Sequence, residues 1–425
     1  MAQADVARTI ETVWRLESAR LIAGLARVVG DVGLAEDLAQ EALVAALEQW
    51  PDSGVPDNPG AWLMTIGKRR GIDRIRHAEV QTRKTQEIGR ELEIDGDEET
   101  RDLAAELDDP FDDDLLRLIF TACHPLLSTE ARVALVLRLL GGLETGEIAR
   151  AYRLSEATVA QRIVRAKRTL AEARVPFEVP TRSELGERLA PVLESIYLIF
   201  NEGYAPTEGD RGVRTELLEE ALRLGRMLAA LLPDEPEVHG LVGLMELQAS
   251  RVRARFGPDG EAVLLLDQDR ARWDWLLVGR GLAAFERAVP ADGALGPYGL
   301  QAGIAACHAR ARRPEDTDWV RIVALYDALA QVTGSPVVEL NRAVAIGMAF
   351  GPEPALELVE AIAGEPALRG YHLVPVVRGD LLERLGRRDE ARAEFAAAVE
   401  LATNERERQV FERRVEALSA PLRSV

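Results

Sequence analysis

Apolar residues recur with a helical period along nearly the whole chain. They predict a first helix over residues 9–29 and a second that starts after Asp31 and Gly33 and ends at Trp50. A third helix begins at Asn58, because an asparagine cap followed by proline at the first helical position is a typical helix start. The predicted buried set of the first helix is Val13, Leu16, Leu21, Leu25 and Val28.

Two short amphipathic helices separated by a tight turn lie between Gly141 and Val175. The first runs from Glu147 to Tyr152, and Ser155 is predicted to cap the second. The apolar stripe of the second helix is Val159, Ile163, Ala166 and Leu170. This order is typical of a helix-turn-helix, whose second helix enters the major groove of DNA and presents its N-terminal residues to base edges. An ordinary helical hairpin with a solvated basic face is the alternative.

Local charge favours the DNA-binding interpretation. The chain has a formal net charge of −19, yet Arg150 to Arg174 contains seven basic residues against two acidic ones. Such a cationic stretch indicates phosphate contacts, which supply the sequence-independent part of DNA affinity. A second cationic stretch in the third helix is formed by Lys68, Arg69, Arg70, Arg74 and Arg76. Trp62 precedes it and suits stacking on unpaired bases, although a lone tryptophan is more often a core residue.

Acidic residues form two groups. The second helix has an acidic face made of Glu36, Asp37, Gln40, Glu41 and Glu48. This face suits a basic partner, with a merely solubilising surface as the alternative. Residues 85–113 are predicted to be an acidic linker, disordered or loosely helical, since Glu87 to Asp114 holds 14 acidic residues against 2 arginines. Such a segment can also imitate nucleic acid.

The C-terminal part, residues 179–425, is predicted to be helical throughout. After a helix that starts at Leu185, the predicted helices are 213–231, 236–255, 275–288, 296–311, 318–332, 336–349, 353–363, 371–385, 389–402 and 404–418. Positions that fit the 34-residue tetratricopeptide pattern are Gly379, Leu382, Gly386, Ala391, Phe395 and Ala398. Stacked helix pairs of this kind leave a concave face, which suits either a protein ligand such as a peptide or another domain.

Length and composition narrow the classes of protein to which the chain can belong. A chain of 425 residues is too long to fold around a single hydrophobic core. It has no apolar run of membrane-spanning length and no signal peptide, so we expect a cytoplasmic protein without a membrane partner. Cys123 and Cys307 each precede a histidine, but the spacing of a zinc site is missing, and we expect no metal and no cofactor. Phosphate-binding glycine loops and nucleophile motifs are also missing, which disfavours an enzyme.

The ordered segments DLAQEALVAAL, AWLMTIGKRRGIDRIR, the acidic linker and EIARAYRLSEATVAQRIVRAKRTL resemble bacterial RNA polymerase sigma factors of the extracytoplasmic-function type. The likeness covers residues 9–177. It implies an all-α fold with a sigma region 2-like domain over residues 1–84, the linker over 85–113, a region 4-like helix-turn-helix domain over 114–178, and a large helical domain over 179–425.

The resemblance implies binding to core RNA polymerase, at the β′ clamp and the β flap, and to promoter DNA. The clamp contacts would be Asp37, Gln40 and Glu41. Contacts to the −10 element would be Trp62, Lys68, Arg69, Arg70, Arg74 and Arg76. Contacts to the −35 element would be Ser155, Thr158, Gln161, Arg162, Arg165, Lys167 and Arg168. Many relatives differ at positions 69, 160 and 161, which leaves the promoter sequence open.

The segments FTACHPLL, YLIFNEGY, DTDWVRIVALYDAL and SPVVELNRAVA are similar to the sigma-factor subgroup with a tetratricopeptide-like C-terminal extension. That likeness implies regulation in cis by the extension, without a membrane anti-sigma factor. A stand-alone helix-turn-helix regulator, whose helical repeats sense a ligand or a protein, is the alternative. It predicts operator binding without polymerase, whereas a sigma factor binds DNA weakly until core enzyme is present.

Overall fold

The computed structural model of the chain describes residues 2–89, 111–152, 154–204, 214–257, 261, 263–290, 294–402 and 405–419. The chain divides into two compact units, Met1–Leu198 and Ile199–Val425. The residues so described form helices and no strand, which confirms the predicted all-α fold class. None of their helices combines the length and the apolar character needed to cross a membrane.

Unit 1 contains seven described helices and the first part of an eighth, which the boundary between the units divides. They are α1 (Ala2–Val29), α2 (Val32–Ser53), α3 (Pro59–Gly89), α4 (Phe111–Ala122), α5 (Thr129–Leu135), α6 (Thr145–Tyr152), α7 (Glu156–Glu172) and α8 (Leu185–Tyr204). We call α1–α3 the first bundle and α4–α7 the second bundle.

The first bundle forms because three amphipathic helices bury one apolar side each. Its core includes Leu25, Leu38 and Trp50, all almost fully buried. The predicted cap at Asn58 is confirmed, since its Oδ1 accepts from the Ala61 amide at 3.1 Å. The prediction for Leu16 was wrong, because that side chain is 70% exposed. A step of five residues from Leu16 to Leu21 rotates the helix by about 140° beyond a full turn, so the two point to different sides.

The second bundle begins with α4, and the break between α4 and α5 contains Pro125, which cannot continue a helix. Ser128 caps α5, accepting from the Ala131 amide at 3.3 Å. A π-helical turn over Val136–Leu140 continues α5 and places Leu137 and Leu139 in the interior. Helix α6 packs on this turn and α7 packs on α5, so α5 and the turn together form the floor of the bundle.

The predicted linker, residues 85–113, lies mostly outside the described residues. Helix α3 continues to Gly89, and α4 starts at Phe111, so the ends of the predicted linker are helical. Residues 90–110 are not described. The domain boundaries derived from the sequence therefore stay predictions.

In unit 2 the helices after α8 are α9 (Thr215–Leu231), α10 (Pro236–Ala249), α11 (Trp275–Ala288), α12 (Pro297–Arg310), α13 (Trp319–Thr333), α14 (Pro336–Phe350), α15 (Pro352–Ile362), α16 (Leu373–Arg384), α17 (Arg388–Leu401) and α18 (Glu405–Ser419). Most begin and end within two residues of the predicted bounds. Helix α10 ends earlier than predicted, at Ala249. There the Ser250 hydroxyl donates to the Leu247 carbonyl at 2.7 Å and the chain turns away.

Most helices of unit 2 pack against the next helix in the chain, from α9 on α10 to α17 on α18, and α12 packs more extensively on α10 than on its neighbour α11. Small residues permit the closest of these contacts. A Cβ atom on Gly240 of α10 would lie 2.6 Å from the backbone nitrogen of Gly299 in α12, closer than real Cβ atoms approach backbone. In the same way Gly379 of α16 leaves room for the buried ring of Phe395 in α17. Unit 2 is thus a succession of closely packed helical pairs.

Candidate nucleic-acid interface

Helices α6 and α7 pack on each other as a helix-turn-helix. Ile148 of α6 and Val159 and Ile163 of α7 are buried between them and the floor of the bundle. The Ser155 hydroxyl accepts from the Thr158 amide at 3.1 Å, which confirms the predicted cap. The two hydroxyls, of Ser155 and Thr158, also lie 2.7 Å apart. Both side chains predicted to contact DNA therefore already stabilise the start of α7.

The side of α7 opposite its buried stripe is open to solvent. Because a helix turns about 100° per residue, Gln161, Val164, Arg165 and Arg168 share one face. All four are exposed, and Val164 is 63% exposed. We call these four residues the reading face. Three of them are among the −35 contacts that the resemblance implies, whereas Val164 is not. Its place in the helical period was the signal that could have found it.

Two other predicted −35 contacts lie at the sides of the reading face. Arg162 and Lys167 are half-buried. Lys167 forms an ion pair with the carboxylate of Glu36 in α2. The structure therefore brings one predicted DNA-contacting cation into contact with the first bundle, while Arg165 and Arg168 remain on the exposed face.

The cationic residues of α3 differ in how far they are engaged within the protein. Arg69 and Arg76 are exposed. Lys68 is half-buried, and burial lowers its pKa; neighbouring Arg27 lowers that pKa further, whereas Asp114 raises it. Trp62 is half-buried and packs edge-on against the core ring of Trp50, with ring centroids 5.3 Å apart.

Arg70 and Arg74 contact the acidic helix α2. The Arg70 guanidinium donates to the backbone carbonyl of Glu41 at 2.9 Å and to its carboxylate at 3.3 Å. Arg74 forms an ion pair with the same carboxylate. A residue predicted to contact polymerase thus pairs with two residues predicted to contact the −10 element. Asp37 remains exposed, and Gln40 is half-buried.

Glu36 departs from its predicted place on an exposed acidic face. Its side chain is only 5% exposed and pairs with two cations of the second bundle. Arg138 Nε lies 2.6 Å from Glu36 Oε1, and Lys167 pairs with the other carboxylate oxygen. A buried carboxylate is costly unless such partners neutralise it, so Glu36 ties α2 to the second bundle. Sequence reasoning missed this because both partners are more than 100 residues away in the chain.

A second buried carboxylate completes the contact between the bundles. Asp114 of α4 lies 3.3 Å from Arg27 of α1 and 2.9 Å from Arg117 of its own helix. Helix α1 also packs on α4 and on the π-helical turn. In this arrangement α2 contacts both basic helices, α3 on one side and α7 on the other.

Cys123 and His308, one from each cysteine–histidine pair, are both buried. Burial raises the pKa of Cys123 to about 12, so its thiol stays neutral. Burial, and then Arg251 and Arg270, lower the pKa of His308 to about 4. Among the residues that the structure describes, no group of three or more histidine, cysteine or acidic side chains is placed to hold a metal ion.

Three family profiles match parts of the chain. Residues 15–80 match sigma-70 region 2, and residues 117–170 match sigma-70 region 4. Residues 188–289 match a family of unknown function, DUF6596. The first match covers most of the first bundle, and the second covers the helix-turn-helix.

Curated proteins with similar sequences fall into two groups. An uncharacterized protein of Rhizobium meliloti, R00370, is 46% identical over 397 residues, which is 93% of this chain and 92% of that protein. The probable ECF RNA polymerase sigma factor SigI of Mycobacterium tuberculosis is 31% identical over 40% of this chain and 57% of its own length. The ECF RNA polymerase sigma factor SigC of the same organism is 29% identical over 40% of this chain and 80% of its own. No solved structure matches.

Proposed function

We propose that the chain, which carries sigma-70 region 2 and region 4 segments and is similar over nearly its whole length to the Rhizobium meliloti protein, is a sigma factor of the extracytoplasmic-function type. In this role it directs core RNA polymerase to promoters with −10 and −35 elements. The observation that carries this proposal is the placement of the acidic helix α2 against both basic helices, α3 and α7. One unit therefore holds a protein-docking surface and two nucleic-acid surfaces.

The proposed roles follow from exposure and charge. Asp37, with Gln40 and Glu41, docks on the β′ clamp, and the second bundle docks on the β flap. The exposed cations of α3 hold the −10 element, and the ring of Trp62 stacks on a base. The reading face of α7 contacts base edges of the −35 element.

Neither bundle needs high affinity for DNA on its own. When polymerase fixes the distance between the two DNA-binding helices, engagement of one raises the effective concentration of the other at the same promoter. Strand separation requires no catalytic group, because capture of unpaired bases shifts the duplex equilibrium toward the open state.

The ion pairs of unit 1 support dependence on polymerase. Arg70 and Arg74 are paired with Glu41, and Lys167 is paired with Glu36. These cations must exchange an internal carboxylate for a DNA phosphate before they contribute to binding. Docking of polymerase on the face around Asp37 and Glu41 provides a competing contact for the Glu41 carboxylate and so releases Arg70 and Arg74.

We propose further that the helices of unit 2 form a tetratricopeptide-like extension that regulates the sigma activity in cis or binds a protein ligand. Close helical pairs such as α16 and α17, with Gly379 against Phe395, support that classification. The protein is proposed to act in the cytoplasm, where the polymerase is found.

Run-off transcription with purified bacterial core polymerase, on the genes that neighbour its own, tests the proposal. A sigma factor gives discrete transcripts that require both the protein and the core enzyme. Operator binding without polymerase, and no transcript from any template, would instead favour the stand-alone regulator.

Asp37→Lys gives a direct test of the docking assignment. Asp37 is exposed, so the fold should be retained, while a reversed charge on the docking surface should lower affinity for core polymerase by at least tenfold. Size-exclusion or fluorescence binding assays measure holoenzyme assembly. Asp52→Lys, an exposed acid at the end of the same helix, is the matched control. Normal assembly by the Asp37 variant would remove this residue from the interface.

A further inference from the structure

One apolar side chain lies at the edge of the otherwise polar reading face. Val164 is 63% exposed, and no other large apolar residue of α7, a helix described in full, is exposed. It lies on the opposite side from Val159, Ile163 and Ala166, which are all buried. Val164 is therefore not part of the buried stripe by which α7 packs in the second bundle.

Local stability does not explain the residue either. A β-branched side chain on an exposed helix position is less favourable than alanine by about half a kilocalorie per mole. Single exposed apolar residues are common on protein surfaces, but this one shares its face with Gln161, Arg165 and Arg168, each exposed and each able to donate hydrogen bonds. The surrounding face has the composition of a surface that contacts DNA.

Helix geometry places Val164 within reach of base edges. From Ala157, near the start of α7, to Val164 the helix rises about 10 Å, compared with a major groove about 12 Å wide. Residues from the first turn through Val164 therefore fit within the groove. Arg168 lies one turn further on, at the distance where the phosphates that border the groove are found.

The major groove offers one feature that rewards an aliphatic contact. Thymine carries a methyl group at C5, whereas the other edges present hydrogen-bond donors and acceptors. We propose that Val164 reads a thymine of the −35 element by packing against this methyl group, while Gln161 and Arg165 bond to neighbouring edges. This inference rests on the proposed promoter-binding function and names a residue that sets its sequence preference.

Replacing thymine by deoxyuridine removes only the methyl group, so it tests the contact directly. Holoenzyme made from the full-length chain and core polymerase is bound to a promoter that it transcribes, with each −35 thymine changed singly to deoxyuridine. We expect one position at which this change weakens wild-type binding about three- to fivefold, the effect of exposing a single buried methyl group. Thymines in the spacer between the two elements should show no effect.

The Val164→Ala variant, combined with the deoxyuridine promoter, completes a double-mutant cycle. It should bind the thymine and deoxyuridine promoters equally, at about the level of wild type on deoxyuridine. The fold is not at risk, since alanine is the better helix former. Val320→Ala, which truncates another exposed helical valine in unit 2, is the matched control and should discriminate as wild type does.

Three results would overturn the inference while leaving the proposed function in place. They are undiminished discrimination by Val164→Ala, a −35 element in which no thymine substitution matters, and an equal loss on both promoters accompanied by weaker binding to core polymerase. The last would assign Val164 to the polymerase interface. Absence of any transcript with the wild-type chain would instead count against the sigma-factor proposal itself.

Discussion

At the scale of single residues, burial and ion-pair partners decide the role of an acidic side chain. Glu36 and Asp37 are adjacent acids on one helix, yet the first is buried between two cations and the second is exposed. Side chains next to each other in a helix point about 100° apart, so one can face a neighbouring bundle while the other faces a partner. The sequence places both on an acidic helix, but only the fold of the chain separates a structural carboxylate from one available for docking.

We expect Glu36→Gln to destabilise unit 1 by about 1–3 kcal/mol. The change leaves Arg138 and Lys167 beside a neutral amide, and both cations are only about one-fifth exposed, so water compensates in part. Urea unfolding followed by circular dichroism measures the free energy. Glu48→Gln, on an exposed part of the same helix, should stay within about 0.5 kcal/mol of wild type. Equal stability of the two variants would contradict the burial of the Glu36 charge.

Ser155 has a structural role that is separable from its predicted contact with DNA. Ser155→Ala should cost about 1 kcal/mol of stability because the Thr158 amide loses its acceptor, and Ser155→Asp should restore that acceptor. Thermal unfolding measures the stability of both variants, and −35-dependent transcription measures their contact with DNA. If Ser155 also contacts DNA, the aspartate variant will be stable but defective in transcription. Full transcription by that variant would limit the residue to capping.

At the scale of helices, the sequence is a reliable guide wherever caps and periodicity agree. The starts of α5 and α7 follow from Ser128 and Ser155, and the bounds of α11 coincide with the predicted range. Periodicity fails at Leu16, because a five-residue spacing does not keep two residues on one helical face. Val164, in contrast, lies off the apolar stripe of α7, so its place in the helical period already indicates exposure. The helical pattern of apolar residues thus predicts where helices lie better than it predicts which face of each helix is exposed.

Close approach between α10 and α12 can be tested by adding one methyl group. Gly240→Ala should destabilise unit 2 by about 1–3 kcal/mol, because the new Cβ meets backbone atoms of Gly299, which cannot rotate away. Gly279→Ala, in the middle of α11 with open space around it, should be neutral or stabilising by up to about 1 kcal/mol. Differential scanning calorimetry compares the two. A harmless Gly240 substitution would show that the two helices are less close than described.

At the scale of the whole molecule, the sequence predicts the parts of the candidate site but not their contacts. Charge and pattern identify the basic helices and the acidic helix from their own residues. The pairing of Glu41 with Arg70 and Arg74, and of Glu36 with Lys167, joins segments far apart in the chain. No local pattern encodes these contacts, which depend on how the helices pack.

A truncation that removes the extension should keep the contacts that the first part of α8 makes within unit 1. In α8, Arg188 donates to the Phe120 carbonyl at 3.2 Å, and Glu194 pairs with Arg132 at 3.0 Å. A chain that ends at residue 177 loses both contacts and should be less stable than one that ends at Leu198, by about 2 kcal/mol or more. Thermal unfolding of the two truncated chains provides the comparison. Equal stability would show that α8 adds nothing to unit 1.

A comparison of the 1–198 chain with the full protein then isolates the role of unit 2. Under the proposed regulation in cis, the two should differ in transcript yield per holoenzyme formed. Identical yields would show that the extension has no regulatory effect under the conditions of the assay.

The internal pairing of Arg70, Arg74 and Lys167 has a consequence for ionic strength. Under the proposed function, transfer of these cations to DNA releases condensed counterions of the duplex, but the carboxylates of Glu36 and Glu41 that they leave take up other cations in exchange. Release and uptake oppose each other. We therefore expect the affinity of the protein for DNA to decline more gently with added salt than a count of its basic side chains implies.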